Sequence, residues 1–162
     1  MRKRTSHPRV GIVMGSESDR GVMEEAARVL EEYEVPSEVA VRSAHRTPEA
    51  TARWAKGASR RGVQVIIAGA GGAAHLAGAI AAHSSLPVLG VPLASSALQG
   101  FDALLSTVQM PPGVPVGTLA IGSWGARNAA HLAIRILALS DPALARRLEA
   151  RAERPKVRRR GA

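Results

Sequence analysis

Apolar runs of strand length alternate along this chain with stretches whose apolar residues recur at helical spacing. The runs "RVGIVMG" (9–15), "SEVAVRSA" (37–44), "VQVIIAG" (63–69), "LPVLGVPL" (86–93) and "PPGVPVGTLAIG" (111–122) predict five strands. The third is continuous in Val and Ile, as a central strand covered on both faces should be. The second is shorter and partly polar, which suits an edge. Between them, 19–35 predicts a helix with Val22, Met23, Ala26, Leu30 and Tyr33 along one side. A second helix starts at Thr47, a good N-cap, with Pro48 at the first helical position and Glu49 at the positive end. It runs to about Arg61, with Gly62 as its stop. Further helices are expected over 69–83 after a glycine turn, 96–109, 126–141 and 142–153, the last entered through Asp141-Pro142.

Strand, helix, strand, repeated, is the pattern of a three-layer α/β fold. Right-handed crossovers make a doubly wound parallel five-stranded sheet of flavodoxin-like order 2-1-3-4-5, followed by C-terminal helices, the simplest arrangement. In that order the winding reverses between strands one and three, and ligands bind beyond the carboxyl ends of those strands. The loops placed there are "GSESD" and "GAGGAAH", with "SAHR" joining from the side.

Composition sets limits on this picture. The 162 residues, 46% of them hydrophobic, suffice for one domain with a real core, taken as 10–150. The formal charge of +9 suggests nucleic acid until it is located. Arg2, Lys3, Arg4 and Arg9 carry four of those charges and the stretch 151–162 a net five, so the body is neutral. Residues 1–9 and 151–162 are therefore read as solvated basic tails without the interleaved aromatics of a nucleic-acid surface. No cysteine is present, which excludes disulfides, thiolate zinc sites and cysteine nucleophiles. The charged start lacks the apolar core of a signal peptide and no run reaches transmembrane length, so no membrane association and a cytoplasmic location are expected. Aromatics are 2% of the chain and small residues fill the helices, so each helix buries little area. The helix "ARNAAHLAIRIL", apolar around most of its circumference, then needs a partner subunit.

Candidate chemistry concentrates in the three loops. In "GSESD" a strand end opens into a helix whose free N–H groups attract anions, with Ser16 and Ser18 as hydroxyl donors. Asp19 suits the hydroxyls of a ribose, although a serine cap with an acidic first turn explains the same residues. "GAGGAA" matches the loose dinucleotide pattern, but no acidic residue occurs between Glu49 and Asp102 to hold a ribose. What remains is a backbone that a flat or anionic group can approach, or else close helix packing. A P-loop and a nucleophile elbow are absent. The five histidines lack the spacing of a metal site, so no metal is expected. In "SAHRTP", His45 and Arg46 stand between a strand and a capped helix. Arg46 suits a phosphate, and His45, whose side-chain class titrates near neutrality, is the natural proton carrier; a plain surface histidine is the competing reading.

Taken together, "GSESD", "SAHRTP", "GAGGAAHLAG", "LPVLGVP", "ALQGFDALLSTVQMPPGVPV" and "AIGSWGARNAAHLA" resemble, in order and spacing, the N5-carboxyaminoimidazole ribonucleotide mutase family of purine biosynthesis, the catalytic subunit of phosphoribosylaminoimidazole carboxylase. The likeness covers 10–139. It implies an octamer and a carboxylate transfer from the exocyclic nitrogen of the substrate to ring carbon C4, without ATP, biotin, metal or other cofactor. By resemblance, His45 is the general acid/base, supplying a proton as carbon dioxide leaves and removing the C4 proton after the gas is recaptured. Ser16, Ser18, Ser43 and Arg46 would hold the phosphate end and Asp19 the ribose. Gly71, Ala74, His75 and Leu76 would wall the base and the transient gas. Transient contact with the ATP-dependent synthetase that makes the substrate is implied as well.

The sequence departs from the family at Ala77, where proline is usual in "HLPG", and at Trp124, where a small residue is common. The first departure is expected to loosen a loop and the second to adjust subunit packing. "HRTP" favours the mutase branch over the branch that carboxylates aminoimidazole ribonucleotide directly. A non-catalytic flavin- or mononucleotide-binding module on the same sheet is the competing class, though few aromatics are present to stack a flavin. A phosphoacceptor receiver lacks its acidic cluster, since only Glu17 and Asp19 follow the first strand.

Overall fold

The computed structural model describes residues 7–152. Its strands are β1 (Val10–Met14), β2 (Ser37–Val41), β3 (Val65–Gly71), β4 (Val88–Leu93) and β5 (Gly117–Thr118), all parallel, in the order β2-β1-β3-β4-β5. The helices are α1 (Arg20–Glu32), α2 (Pro48–Gly57), α3 (Leu76–His83), α4 (Phe101–Val108), α5 (Ser123–Ala138) and α6 (Pro142–Ala152). The expected topology holds. Among the described residues no helix is long and apolar enough to cross a membrane.

Strand alternation divides the core into two layers. Val10, Ile12, Met14, Val65 and Ile67 face α1 and α5, while Val13, Ile66 and Ala68 face α2 and α3. On the first face Met23, Ala26, Val29 and Leu30 of α1 pack beside Ala126, Ala129, Ala130, Ala133 and Ile134 of α5, on the same side of the sheet. β2 lies at the edge and is only partly buried, as its mixed sequence predicts.

Several elements differ in detail from expectation. β5 shrinks to two residues, because Pro111, Pro112 and Pro115 precede it and supply no N–H; beyond it, Leu119 and Gly122 donate to the carbonyls of Gly90 and Pro92 outside regular pairing. α4 begins only at Phe101, since Gln99 and Gly100 adopt positive φ (53° and 89°) and cannot be helical. α2 ends at Gly57; a 3-10 turn (Ser59–Arg61) follows, and Gly62 at φ 99° stops the segment. Thr47 occupies the N-cap position without capping: its hydroxyl turns back to Ser43. Ala77, expected in a loop, lies in the first turn of α3 and is buried.

The basic tails lie outside the described residues except at their inner ends. Arg9 pairs with Asp141 at 2.6 Å, and Arg151, in α6, pairs with Glu32 at 2.9 Å. Asp141 also caps α6, accepting from the N–H groups of Ala143 (3.1 Å) and Leu144 (3.0 Å).

Candidate active site

Because the strands are parallel, the loops leaving β2, β1, β3 and β4 meet along one edge of the sheet in that order. They enclose a cavity of about 330 Å³, a size suited to a small-molecule ligand. Three of the four loops are those expected from the reversal of winding.

The β1 loop is folded by its own side chains. Ser16 caps the 3-10 turn Glu17–Asp19, accepting from the Ser18 N–H (3.4 Å) and the Ser18 hydroxyl (2.9 Å). Asp19 reciprocates through Oδ2, which accepts from the Ser16 N–H at 3.0 Å. Burial pushes the Asp19 carboxyl above the ordinary carboxylate range, while the Ser16 N–H and the Arg46 charge pull it back. A largely buried carboxylate kept in a cavity wall has a reason beyond packing.

The β2 loop is built the same way. The carbonyl of Ser43 accepts from the Thr47 N–H (3.0 Å), the Thr47 hydroxyl (3.1 Å) and the buried Thr51 hydroxyl (3.1 Å). The Ser43 hydroxyl accepts from the Arg46 backbone N–H at 3.1 Å. Arg46 Nη2 then donates to the Gly15 carbonyl at 3.1 Å, joining the two loops. The result is a wall of hydroxyls and a guanidinium beside a helix start, chemistry that holds an anion.

On the other side the β3 loop supplies room. Gly72 has φ 60°, and a Cβ on Gly71 would lie 1.8 Å from Ser95 Oγ. Ala70, Gly71, Ala73 and Leu76 form a small, apolar wall. His75, at the N-cap position of α3, meets His45 from the β2 loop: Nε2 of His45 is 2.6 Å from Nδ1 of His75, with the rings edge to face. The distance is that of a hydrogen bond, in which either ring is the donor according to its tautomer.

Ser16, Ser18, Asp19, Ser43, His45, Arg46, Gly71, His75 and Leu76 all reach the cavity. Ala74 does not: it is 1% exposed, and Ala73 takes its place in the wall. Gly15, Ala44, Ala70 and Ala73, in the expected loops though not singled out there, line the cavity as well, and Ser95 lies in a loop not expected at the site from sequence. Ser95 was discoverable, because β4 neighbours β3 and its carboxyl end must share the same edge. The histidine bond was not, because thirty residues separate its partners and helical spacing rules do not reach that far. Among the described residues no three His, Asp or Glu side chains converge as metal ligands would.

Comparison with known proteins gives a consistent result. The N5-carboxyaminoimidazole ribonucleotide mutase of Pyrococcus horikoshii is 57% identical over 145 residues, which cover 90% of this chain and 81% of that protein. The enzyme of the same name from Escherichia coli K12 is 57% identical over 148 residues (91% and 88%), and that of Bacillus subtilis 56% over 149 (92% of each). A crystal structure of Treponema denticola PurE matches with a TM-score of 0.80 at 30% identity over 90% of each chain. A family model described as AIR carboxylase matches residues 9–157, nearly the whole chain, and the chain therefore belongs to the AIR carboxylase family.

Proposed function

We propose that the chain is an N5-carboxyaminoimidazole ribonucleotide mutase of purine biosynthesis, with His45 as its general acid/base. The observation that carries the assignment of roles is the His45–His75 hydrogen bond at 2.6 Å, set between an anion-holding wall and a small apolar one. The reaction moves one carboxylate and one proton in opposite directions. Loss of carbon dioxide leaves the exocyclic nitrogen needing a proton, and capture of the gas by C4 leaves that carbon with one to lose. An imidazole that gives in the first half and takes in the second satisfies both needs without a net change in the enzyme.

Ser16, Ser18, Ser43 and Arg46 hold the phosphate, Asp19 the ribose, and Gly71, His75 and Leu76 border the base. Free carbon dioxide must be held near the ring, so exclusion of water and proximity contribute much of the rate. The protein works in the cytoplasm as a homo-octamer, receiving its substrate in transient contact with an ATP-dependent synthetase. Support for assembly comes from surface apolar side chains that a monomer leaves wet: Phe101, Leu105 and Val108 form a stripe along α4, Leu98 is exposed in the loop before it, and Trp124 is 77% exposed.

The test is incubation of purified protein with freshly prepared N5-carboxyaminoimidazole ribonucleotide, following formation of the C4 carboxylate. His45→Asn should lower kcat by at least about a hundredfold with an unchanged circular dichroism spectrum. Full turnover in that variant removes His45 from the chemistry, and an inert wild type removes the reaction.

A further inference from the structure

Four serines line the cavity, and their hydroxyls are not equivalent. Those of Ser16 and Ser18 bond to each other, and that of Ser43 accepts from Arg46. The hydroxyl of Ser95 has no protein partner among the described residues, although it faces the same space. Its neighbour Ser96 sharpens the contrast. Ser96 Oγ donates to Asp102 at 2.6 Å and accepts from the Leu98 N–H at 3.1 Å, so its bonding is spent on the start of α4.

Ser95 is also held in place. Its N–H donates to the Leu93 carbonyl at 3.1 Å, a tight turn that folds the side chain back over the end of β3. There it rests on Gly71, whose missing Cβ would lie 1.8 Å from Oγ and 2.7 Å from Cβ of Ser95. The glycine makes space for this hydroxyl, and the hydroxyl is used by nothing in the protein.

Its position defines what it can meet. β2 and β4 are three strand spacings apart, about 14 Å, so Ser95 stands across the cavity from Arg46 and the serine wall. A ribonucleotide whose phosphate lies against Arg46 extends its base toward Ser95. At that end the surroundings are Ala70, Gly71, Ala73 and Leu76, and the polar side chains are the two histidines and Ser95.

Resting on the mutase reading above, we propose that Ser95 binds the migrating carboxylate, donating its hydroxyl hydrogen to a carboxylate oxygen. A neutral donor fits a group that alternates between anion and free gas. It bonds the carboxylate with the added strength of a charged acceptor and the neutral gas only weakly, so the carbon is held without being pinned.

The test compares two ribonucleotides that differ only in the group concerned, the C4-carboxylated product and aminoimidazole ribonucleotide. Binding of each to wild type and Ser95→Ala is measured by calorimetry beside wild-type turnover. Ser95→Ala should weaken the carboxylated ligand by about tenfold or more and leave the uncarboxylated one unchanged. Equal weakening of both, or of neither, overturns the role of Ser95 while wild-type turnover stands. Absence of wild-type turnover overturns the mutase reading and this proposal with it. Ser96→Ala is the control for loop damage: a loss confined to the carboxylated ligand in that variant also overturns the proposal.

Discussion

The two sides of the cavity are made by opposite means. Along β1 and β2 the loops are held by bonds between polar side chains and the backbone: Asp19 accepts from the Ser16 N–H, Thr47 from the Ser43 N–H, Thr51 donates to the Ser43 carbonyl and Arg46 to the Gly15 carbonyl. Along β3 and β4 the wall is shaped by what is left out, with Gly71, Ala70 and Ala73 keeping the space open and Ser95 resting on the glycine. The first side is damaged by removing atoms and the second by adding them. On the reading proposed above, a polar residue on the first side has a structural task as well as a ligand task, whereas the Ser95 hydroxyl, without a protein partner among the described residues, has only the latter.

Adding one methyl group on the second side should have the largest effect on stability. In Gly71→Ala the new carbon would overlap Ser95 and approach the Leu93 carbonyl at 3.1 Å. Rotation of Ser95 alone cannot relieve this, since Ser95 Cβ is also only 2.7 Å away, so the β4 loop must move. A loss of about 1–3 kcal/mol is expected, read as a fall of roughly 2–4 °C in Tm for each kcal/mol at this chain length. Adding Ser95→Gly should recover most of the stability without restoring turnover. Full turnover in the double variant would mean that Ser95 contributes only bulk.

The unequal construction explains what the sequence revealed. Strand order was legible because β1, β3 and β4 are uninterrupted apolar runs separated by helical patterns, and order then follows from handed crossovers. The bonded side of the site was legible too, since Ser, Asp, Arg and His clustered between a strand and a helix advertise their chemistry. The open side was harder. Ala70 and Ala73 carry no chemical mark, and Ser95 sits in "ASSALQG", where it looks like the structural Ser96. Only Gly71, pressed against it through strand pairing across more than twenty residues, separates the two. The missing length of β5 and α4 has the same root: prolines and the left-handed Gln99–Gly100 pair act locally and override an apolar pattern.

Removing a bond on the first side should cost less. The Thr51 hydroxyl is buried and lies 2.9 Å from the Thr47 carbonyl and 3.1 Å from that of Ser43. Thr51→Val keeps the shape and deletes the donor, leaving the Ser43 carbonyl its two bonds from Thr47. Chemical denaturation should show a loss of about 1 kcal/mol, with KM for the ribonucleotide rising more than kcat falls, because the loop holding Ser43 and Arg46 loosens. A selective fall in kcat would instead tie this hydroxyl to the placement of His45.

The smallest effect on stability should have the opposite sign. Burial raises the Asp19 pKa above its ordinary 3.8, against the Ser16 N–H and Arg46, so the ionised carboxyl is less favourable in the folded protein than in the unfolded chain. The fold gains from the protonated form below the ordinary value, and that gain is lost as pH rises through the raised one. Asp19→Asn keeps an acceptor for Ser16 and has no proton to lose. Its denaturation midpoint should match wild type in acid and move above it as pH climbs past the ordinary carboxylate value, levelling once the raised value is passed. A midpoint falling below wild type over that interval would mean that the Ser16 and Arg46 interactions outweigh burial. The expected direction has a consequence for the first side of the cavity: its carboxylate is kept against stability, as a group retained for a ligand would be.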